Sequence, residues 1–423
     1  MTTFIDLFAG IGGIRKGFEQ ACKELGIDCR CVFTSEIKPH AVSVLQQNNP
    51  GEKISGDITQ VKSDDIPDFD YLLAGFPCQA FSYAGKRLGF EDTRGTLFFD
   101  VARIIKEKRP RGFILENVDG LVNHDKENPK DKIGRTLSVI LDTLCSLGYK
   151  TSWKVLNAKH FSVPQERKRI YITGTLDATP DLEFTPKAEV TLSDILEKGK
   201  EVEDTPFIKL VLSHFKAKHL SGKAFKDKRG GRDNIHSWDI EMKGRVSADE
   251  KNLLDTLLKE RRKKKWADVY GIDWMDGMPL TEEHIYSFYP HAKLCELLNN
   301  LSEKGYLRKE HPKRRIGNKR VQDANLPIGY NIVTGKMSFP INKVLSPQGI
   351  APTLVAMDME RLYVVDGEGL RKLTLREGLR LFGYPDDFSL DVAKQELGYD
   401  LLGNTVVVPV IKEVARRVLD ANI

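Results

Sequence analysis

Short apolar runs alternate with longer amphipathic stretches over the first 175 residues. The stretches "IRKGFEQACKELG", "PHAVSVLQQNN", "FFDVARIIKEK" and "TLSVILDTLCSLG" have the spacing of helices with one apolar face. The runs predicted as strands are "TTFIDLFAG", "CRCVFTSEI", "YLLAG", "GFILENV" and "RIYITGT". Alternation of strands with helices predicts an α/β fold, with a doubly wound and mostly parallel sheet.

The pattern changes in the middle of the chain, over residues 177–350, which are rich in Lys, Arg and Gly. The α/β pattern returns from residue 351 with "TLREGLRLFGYP" and "GNTVVVPVIKEVARRVL". We therefore predict a catalytic domain over 1–176 that is completed by 351–423, with a smaller domain inserted at 177–350. A helix–turn–helix–strand pattern predicts a part similar to a winged helix at 247–311.

Three basic runs lie in this middle segment. Eight Lys or Arg face one acid in 209–232, six face one acid in 259–265, and seven face one acid in 308–320. A single run of this kind is usually a solvated face, and the net charge of the whole chain is only +5. Three runs in one segment indicate a surface that meets phosphates.

Composition excludes several classes of protein. The chain of 423 residues contains no apolar run long enough for a membrane span, and its N-terminus lacks the features of a signal peptide. Its six cysteines form no CxxC pair and no zinc-ligand spacing. These features predict a reduced, cytoplasmic protein without a membrane anchor or a structural metal.

One cysteine stands apart from the others. Cys78 lies in "GFPCQAFS", directly after the predicted strand "YLLAG". A free cysteine is most often a small buried hydrophobic residue. In a reduced protein, however, a cysteine in a special loop is a candidate nucleophile, provided that an acid partner, a cofactor and a substrate can be found.

Residues at the ends of the first strands indicate an adenosine-containing ligand. "DLFAGIGG" allows a tight turn and close approach to the backbone, but its spacing is not the GxGxxG of dinucleotide sites. Glu36 ends the second predicted strand, where a carboxylate commonly binds ribose hydroxyls. Asp57 follows the next apolar stretch and could accept a hydrogen bond from an adenine amino group. Each acid alone is equally compatible with an exposed loop residue or a helix cap.

The order of six motifs resembles the DNA (cytosine-5)-methyltransferase family of bacterial restriction–modification systems. The motifs are "DLFAGIGG", "GFPCQAFS", "ENV", "QERKRIYI", "REGLRLFGYP" and "GNTVVVPV", and the resemblance covers residues 1–175 and 345–423. It implies the methyltransferase fold that binds S-adenosylmethionine, with S-adenosylhomocysteine as product. The implied cofactor contacts are Phe8, Gly10, Gly12, Glu36, Ile37, Asp57, Ile58, Pro77, Leu97, Asn404 and Thr405. Relatives often carry an aromatic residue at the position of Ile37.

The resemblance also implies roles in catalysis. Cys78 would add as a thiolate to carbon 6 of cytosine, and Glu116 of "ENV" would share a proton with ring nitrogen 3. Asn117 would hold the backbone of Pro77 and so aim the cysteine. Arg167 and Arg169 of "QERKRIYI" would lie at the active site and contact the cytosine and its phosphates.

Double-stranded DNA is the implied substrate, and the reacting base would have to rotate out of the helix. Gln79 and Ser82 are candidates to close over the site, Lys86 and Arg87 to meet phosphates, and Thr353 to lie near the backbone of the rotated nucleotide. The segment 177–350 would select the sequence. We further expect a monomer that is functionally paired with a restriction endonuclease.

Three other functions are compatible with parts of the sequence. An RNA cytosine-5 methyltransferase would use the same chemistry, although the long basic segment favours duplex DNA. A DNA-binding regulator with a dead catalytic fold is disfavoured by the intact Cys78 and Glu116. A cysteine hydrolase would need a histidine beside Cys78, and none of the nine histidines lies in a catalytic-looking motif.

Overall fold

The computed structural model describes residues 1–77, 97–128, 130–273, 277–317, 319–334, 339–355 and 358–422. The chain divides into two compact units. Unit 1 comprises Met1–Glu197, Pro347–Glu360 and Leu373–Ile423, and unit 2 comprises Lys198–Ser346 and Arg361–Lys372. The first border therefore lies after Glu197 rather than after residue 176. Residues up to 197 are held in unit 1 by backbone hydrogen bonds from Leu192 to Gly349 and from Glu197 to the Glu377 side chain.

A seven-stranded sheet, counted over the described residues, forms the centre of unit 1. The strands are β1 (Thr2–Leu7), β2 (Cys29–Ser35), β3 (Ile54–Ser55), β4 (Tyr71–Ala74), β5 (Gly112–Val118), β6 (Lys150–Asn157) and β7 (Lys168–Thr175). Their order is β3-β2-β1-β4-β5-β7-β6, and neighbours are parallel except for β7, which is antiparallel to both β5 and β6. This order confirms the predicted α/β fold with a doubly wound, mostly parallel sheet.

Most helices of unit 1 follow the predicted amphipathic stretches. The helices of this unit are α1 (Gly13–Glu24), α2 (Pro39–Asn48), α3 (Leu97–Lys108), α4 (Arg135–Ser146), α10 (Leu375–Leu381), α11 (Gln395–Gly403) and α12 (Val408–Asp420). Helix α1 ends before Gly26, whose φ of 68° suits a residue without a Cβ, and α2 begins at Pro39, which needs no N–H in the first turn. Thr374 caps α10 in a capping box with Glu377, as its sequence predicts.

Packing of α1 against α12 joins the two ends of the chain within unit 1. A Cβ at Gly17 would lie 2.5 Å from the Cβ of Ile411, so only glycine permits this close approach. Strand β6 was not predicted, because "KTSWKVLN" is mostly polar and lies at the edge of the sheet. Within the described residues, no helix has the length and apolar character needed to cross a membrane.

Unit 2 contains a mixed five-stranded sheet and a helical part with two small antiparallel sheets. Its strands are β8 (Ala224–Phe225), β9 (Asn234–Ile235), β10 (Leu307–Glu310), β11 (Lys313–Ile316), β12 (Lys319–Gln322), β13 (Gly329–Ile332), β14 (Lys343–Val344), β15 (Leu362–Asp366) and β16 (Gly369–Lys372). The five-stranded sheet has the order β16-β15-β14-β8-β9, while β10 pairs with β13 and β11 with β12. The helices of unit 2 are α5 (Pro206–His214), α6 (Ala248–Glu260), α7 (Lys264–Val269), α8 (Glu282–Tyr286) and α9 (Leu294–Glu303).

Candidate active site

The candidate site lies in unit 1, where the strand order reverses between β1 and β4. Ligands of open α/β sheets bind at such a point, beyond the carboxyl ends of the strands. The turn after β1 passes through Phe8, Gly10 and Gly12, which have φ values of 55°, 55° and 83°. Phe8 is a bulky residue in the left-handed region, an arrangement that is unfavourable by about 1–3 kcal/mol and concentrates at functional sites.

Glu36 follows β2 and is fixed beside this turn. Its carboxylate accepts hydrogen bonds from the backbone N–H of Gly10 at 2.7 Å, and from those of Ile37 and Lys38 at 2.8 Å each. A Cβ at Gly10 would have no described heavy atom within 4 Å. The buried carboxylate therefore faces a stretch of backbone that a ligand can approach directly.

Residues of the adjoining loops have different surroundings. Asp57 is exposed, and its Oδ1 accepts hydrogen bonds from the N–H and hydroxyl of Thr59. Ile58 is buried in the core of unit 1, whereas Ile37 has 70% of its surface exposed. Leu97, the first residue of α3, is half-buried. Ile37 thus offers an exposed apolar surface next to Glu36. The Ile58 side chain, in contrast, is packed in the core.

The last motif of the chain returns to the same unit. Thr405 is buried, and its hydroxyl forms a hydrogen bond of 2.6 Å with the hydroxyl of Tyr384. A Cβ at Gly13 would lie 2.6 Å from the Tyr384 hydroxyl and 2.8 Å from Thr405 Oγ1. The start of α1 is therefore in close contact with this pair. Asn404 is exposed, and its amide donates to the backbone carbonyl of Asp400 at 2.8 Å.

The ends of β4 and β5 place Glu116 beside the segment that leads to Cys78. The two strands are parallel, with Ala74 opposite Leu115, so the next residues, Gly75 and Glu116, are neighbours. A Cβ at Gly75 would lie 3.7 Å from Glu116 Oε2. The Asn117 amide donates to the Phe76 carbonyl at 2.8 Å. This bond corrects the expected partner, the Pro77 backbone, by one residue. Pro77 itself is exposed.

The Glu116 carboxyl is buried and forms an ion pair with a neighbouring arginine. Arg169 Nε lies 3.2 Å from Glu116 Oε1. Burial raises the pKa of Glu116, and this effect outweighs the opposing positive charges of Arg169 and Arg167. A buried carboxyl with a raised pKa can carry a proton nearer to neutrality and act as a general acid.

The Arg167 side chain has different partners from that of Arg169, which pairs with Glu116. It precedes β7, and its guanidinium donates to the backbone carbonyls of Leu354 at 2.6 Å, Thr405 at 2.7 Å and Gly403 at 3.2 Å. Burial lowers its pKa to about 10. The expectation that Arg167 contacts the cytosine and its phosphates therefore needs correction, since its side chain is buried and bonded to the backbone. It is a positioning residue that joins three segments of unit 1.

Thr353 is exposed and donates its hydroxyl to the Glu166 carbonyl at 2.7 Å. Thr353 thus lies next to the "QERKR" segment. Its expected contact with the backbone of the rotated nucleotide stays a prediction. Cys78, Gln79, Ser82, Lys86 and Arg87 lie outside the described residues. Their predicted roles rest on the sequence.

Comparison with known proteins decides the family. The profile described as "C-5 cytosine-specific DNA methylase" matches residues 2–420. The chain belongs to this family. It is a DNA (cytosine-5)-methyltransferase, as its motifs predict, and the match extends through the middle segment as well as the motif regions.

Three relatives of this methylase are similar along nearly their whole length. The chain is 65% identical over 416 residues to the Type II methyltransferase M.NlaIV of Neisseria lactamica, covering 98% of both chains. It is 63% identical over 416 residues to the Type II methyltransferase M.NgoBV of Neisseria gonorrhoeae, again covering 98% of both. The Type II methyltransferase M.BanI of Aneurinibacillus aneurinilyticus is 41% identical over 446 residues, covering 99% of this chain and 96% of that protein.

Solved structures agree with the fold. The S. pombe Dnmt2 methyltransferase superimposes with a TM-score of 0.56 at 15% identity, covering 99% of each chain. A putative DNA modification methyltransferase encoded within a prophage of E. coli gives a TM-score of 0.53 at 18% identity, also covering 99% of each chain. At these identities the similarity concerns the fold of the methylase alone.

Sequence reasoning missed two buried polar residues of this methylase. Asp6 is fully buried on β1, its carboxylate oxygens have no hydrogen-bond partner among the described residues, and burial raises its pKa to about 8. Gln165 is also fully buried and donates to the Leu381 carbonyl at 3.0 Å. A signal for Asp6 was present, since it is the only charged residue in "TTFIDLFAG". Gln165 has no comparable signal, because its partner is distant in sequence.

Replacing Arg167 with lysine is expected to lower the free energy of unfolding by about 2–4 kcal/mol, because buried carbonyls would lose their donors. Lys168→Met, a change at the exposed neighbour, should stay within about 0.5 kcal/mol. Urea unfolding followed by circular dichroism measures both variants. An Arg167→Lys protein as stable as the wild type would contradict the role of Arg167 in joining the three segments.

Proposed function

We propose that this methylase rotates a cytosine out of duplex DNA, joins the Cys78 thiolate to its carbon 6, and methylates its carbon 5. The observation that carries the proposal is the position of the buried Glu116 carboxyl beside Gly75, three residues before Cys78. The hydrogen bond from Asn117 to the Phe76 carbonyl supports it further, because it fixes the backbone two residues before the nucleophile.

Carbon 5 of cytosine is a poor nucleophile, and the proposed steps address that difficulty. When the sulfur of Cys78 bonds to carbon 6, electron density moves through the ring to carbon 5. A proton shared by Glu116 with nitrogen 3 would stabilise the charge that this addition creates. After carbon 5 has accepted the methyl group, loss of its proton expels the thiolate and restores the aromatic ring.

The turn after β1 fits the methyl donor S-adenosylmethionine. Open backbone at Gly10 and the Glu36 carboxylate suit a ligand with ribose hydroxyls, and exposed Ile37 suits a planar apolar ring. Phe8, Gly12, Leu97, Asn404 and the backbone near Asp57 and Ile58 would complete the contacts, with Thr405 supporting the turn through Tyr384. When bound, S-adenosylmethionine supplies an activated methyl group and leaves as S-adenosylhomocysteine.

Glu36→Gln is expected to weaken S-adenosylmethionine binding by about 10- to 100-fold, because a hydrogen bond to a charged group contributes about 1.5–3 kcal/mol. The matched control is Glu107→Gln, a change at an exposed acid near the far end of α3. Titration calorimetry measures both affinities, and thermal unfolding checks that Gly10 and its neighbours keep their fold. Unchanged affinity in a folded Glu36→Gln protein would contradict the assignment.

The similarity to Type II methyltransferases supports a further proposal, that the methylated site protects DNA from a partner restriction endonuclease. Sequencing of methylated cytosines in cells that express the chain tests the activity and gives the site. We expect methylation of one short sequence in the wild type and none with Cys78→Ser. Methylation of RNA but not of duplex DNA by the purified protein would overturn the choice of substrate.

A further inference from the structure

Residues 248–332 of unit 2 follow the element order of a winged helix. Helix α6 is followed by the short α7 and by Leu280, which bridges to Tyr330 of β13. Then come α8, α9, β10, the β11–β12 hairpin and β13. Strand β13 thus pairs with Leu280 on one side and β10 on the other. One buried cluster holds these elements together; it includes Leu253, Leu257, Leu280, Ile285, Leu298, Leu301, Leu307 and Tyr330.

We propose that the β11–β12 hairpin is the wing of this fold, and that the wing, rather than the exposed face of α9, binds the phosphates of duplex DNA. This inference rests on the proposed function, which makes duplex DNA the substrate. It assigns the contact to an element of unit 2 that the catalytic motifs do not include.

Charge on the hairpin is of one sign. Residues 313–322 carry five Lys or Arg and no Asp or Glu. Arg315 and Arg320 are directly opposite each other in the antiparallel pair, and both are exposed. A phosphate beside this pair could accept hydrogen bonds from either guanidinium group, since each carries five N–H donors.

The exposed face of the helices has the opposite charge. Glu282 and Glu283 of α8, and Glu296 and Glu303 of α9, are all exposed. The exposed Lys293 lies 3.9 Å from Glu296. Four carboxylates on this surface repel the DNA backbone, so the face that most winged helices insert into the major groove is unsuited to phosphate here.

The base of the hairpin is fixed to the rest of the fold. Arg314 forms an ion pair with Asp323 and donates to the Tyr270 carbonyl at 3.1 Å. The tip instead exposes the apolar side chain of Ile316, which is 67% accessible, while Val321 lies opposite Arg314 and is 45% accessible. A basic ribbon with an apolar tip and an anchored base matches the chemistry of a DNA groove, which is lined by phosphates, sugars and base edges.

The test compares three variants of the full-length enzyme on duplex DNA that carries its methylation site. The wing variant combines Arg315→Gln, Lys319→Gln and Arg320→Gln, and the helix variant combines Glu296→Gln with Asn299→Ala. The charge-matched control combines Lys23→Gln, Arg30→Gln and Lys106→Gln. All three are exposed: Lys23 is near the end of α1, Arg30 near the start of β2, and Lys106 near the end of α3. They lie at the edge of the sheet opposite the candidate site.

We expect the wing variant to bind DNA at least about tenfold more weakly, with the slope of log K against log salt falling by about 0.9 for each phosphate that the hairpin no longer neutralises. The helix variant and the control should stay within about twofold of the wild type. Thermal unfolding and the single Arg315→Gln variant check that the weaker binding reflects the missing cations rather than misfolding.

A wing variant that matches the control, or a helix variant that binds tenfold more weakly, overturns the proposal. Failure of the wild type to methylate duplex DNA would instead overturn the proposed function.

Discussion

Cys78→Ser is expected to lower kcat for DNA methylation on the order of 10⁴-fold or more, while binding of DNA and of S-adenosylmethionine persists. A serine hydroxyl is a far weaker nucleophile than a thiolate, because almost none of it is ionised near neutrality. Without a bond to carbon 6, carbon 5 is not activated for methyl transfer. Single-turnover methylation with saturating DNA and cofactor measures the loss of the chemical step directly.

A matched control separates nucleophilicity from the mere loss of a thiol. Cys145 is an exposed cysteine on α4, and Cys145→Ser should keep wild-type activity. Residual activity of Cys78→Ser within tenfold of the wild type would exclude the proposed addition to carbon 6. It would then favour a mechanism in which Cys78 only packs in its loop.

Glu116→Gln is expected to lower kcat by about 10²–10⁴-fold, the usual contribution of a positioned general acid. Glutamine keeps the shape of the side chain and can donate a hydrogen bond, but it cannot give a proton to ring nitrogen 3. Asp119→Asn, at an exposed carboxylate three residues later, should change kcat by less than about twofold. Equal losses in the two variants would show that Glu116 has no special role.

The pH dependence gives a second test of Glu116. Its raised pKa means that the carboxyl holds its proton to higher pH, so kcat should fall as the pH rises through that pKa. The positive charge of Arg169 lowers the pKa of Glu116, and therefore Arg169→Gln should move this limb of the profile to higher pH. The limb should disappear in Glu116→Gln. A shift to lower pH in Arg169→Gln would contradict the assignment.

The parts of the site that could be predicted are those set by consecutive strands. In a parallel sheet, strand ends meet at one edge, so the turn after β1, Glu36 after β2 and Glu116 on β5 could be grouped from their order alone. The family resemblance placed Asn117 near the cysteine segment, and the error of one residue in its partner reflects strand register. Register is the choice of which residues of β4 and β5 lie opposite each other, and the sequence alone does not determine it.

Contacts between distant segments could not be predicted. The family resemblance grouped Arg167 with Arg169, but Arg167 lies before β7 begins. Its carbonyl partners at Leu354, Gly403 and Thr405 come from the far end of the chain. Strand β6 escaped prediction for a related reason, since an edge strand needs few apolar residues.

The part of unit 2 that is proposed to be a winged helix is an intermediate case between these two. The helix–turn–helix–strand pattern at 247–311 indicated α9 and β10, because each is formed by residues that are close together in the sequence. Strand β10 pairs with β13, and the β11–β12 hairpin lies between them in the sequence. Hydrophobic periodicity gives no signal for a pairing between strands that are separated in this way. The basic run at 308–320 was visible, but only the structure shows that Arg314 is anchored to Asp323 and to the Tyr270 carbonyl.

The most direct test of the mechanism is covalent trapping of the enzyme on duplex DNA whose target cytosine carries fluorine at carbon 5. Fluorine replaces the proton that must leave in the last step, so the bond between sulfur and carbon 6 cannot be broken by elimination. With S-adenosylmethionine present, we predict a stable protein–DNA adduct, which peptide mass spectrometry should locate at Cys78. Methyl transfer to normal DNA by the same preparation, with no adduct on the fluorinated DNA or an adduct at another residue, would contradict the account.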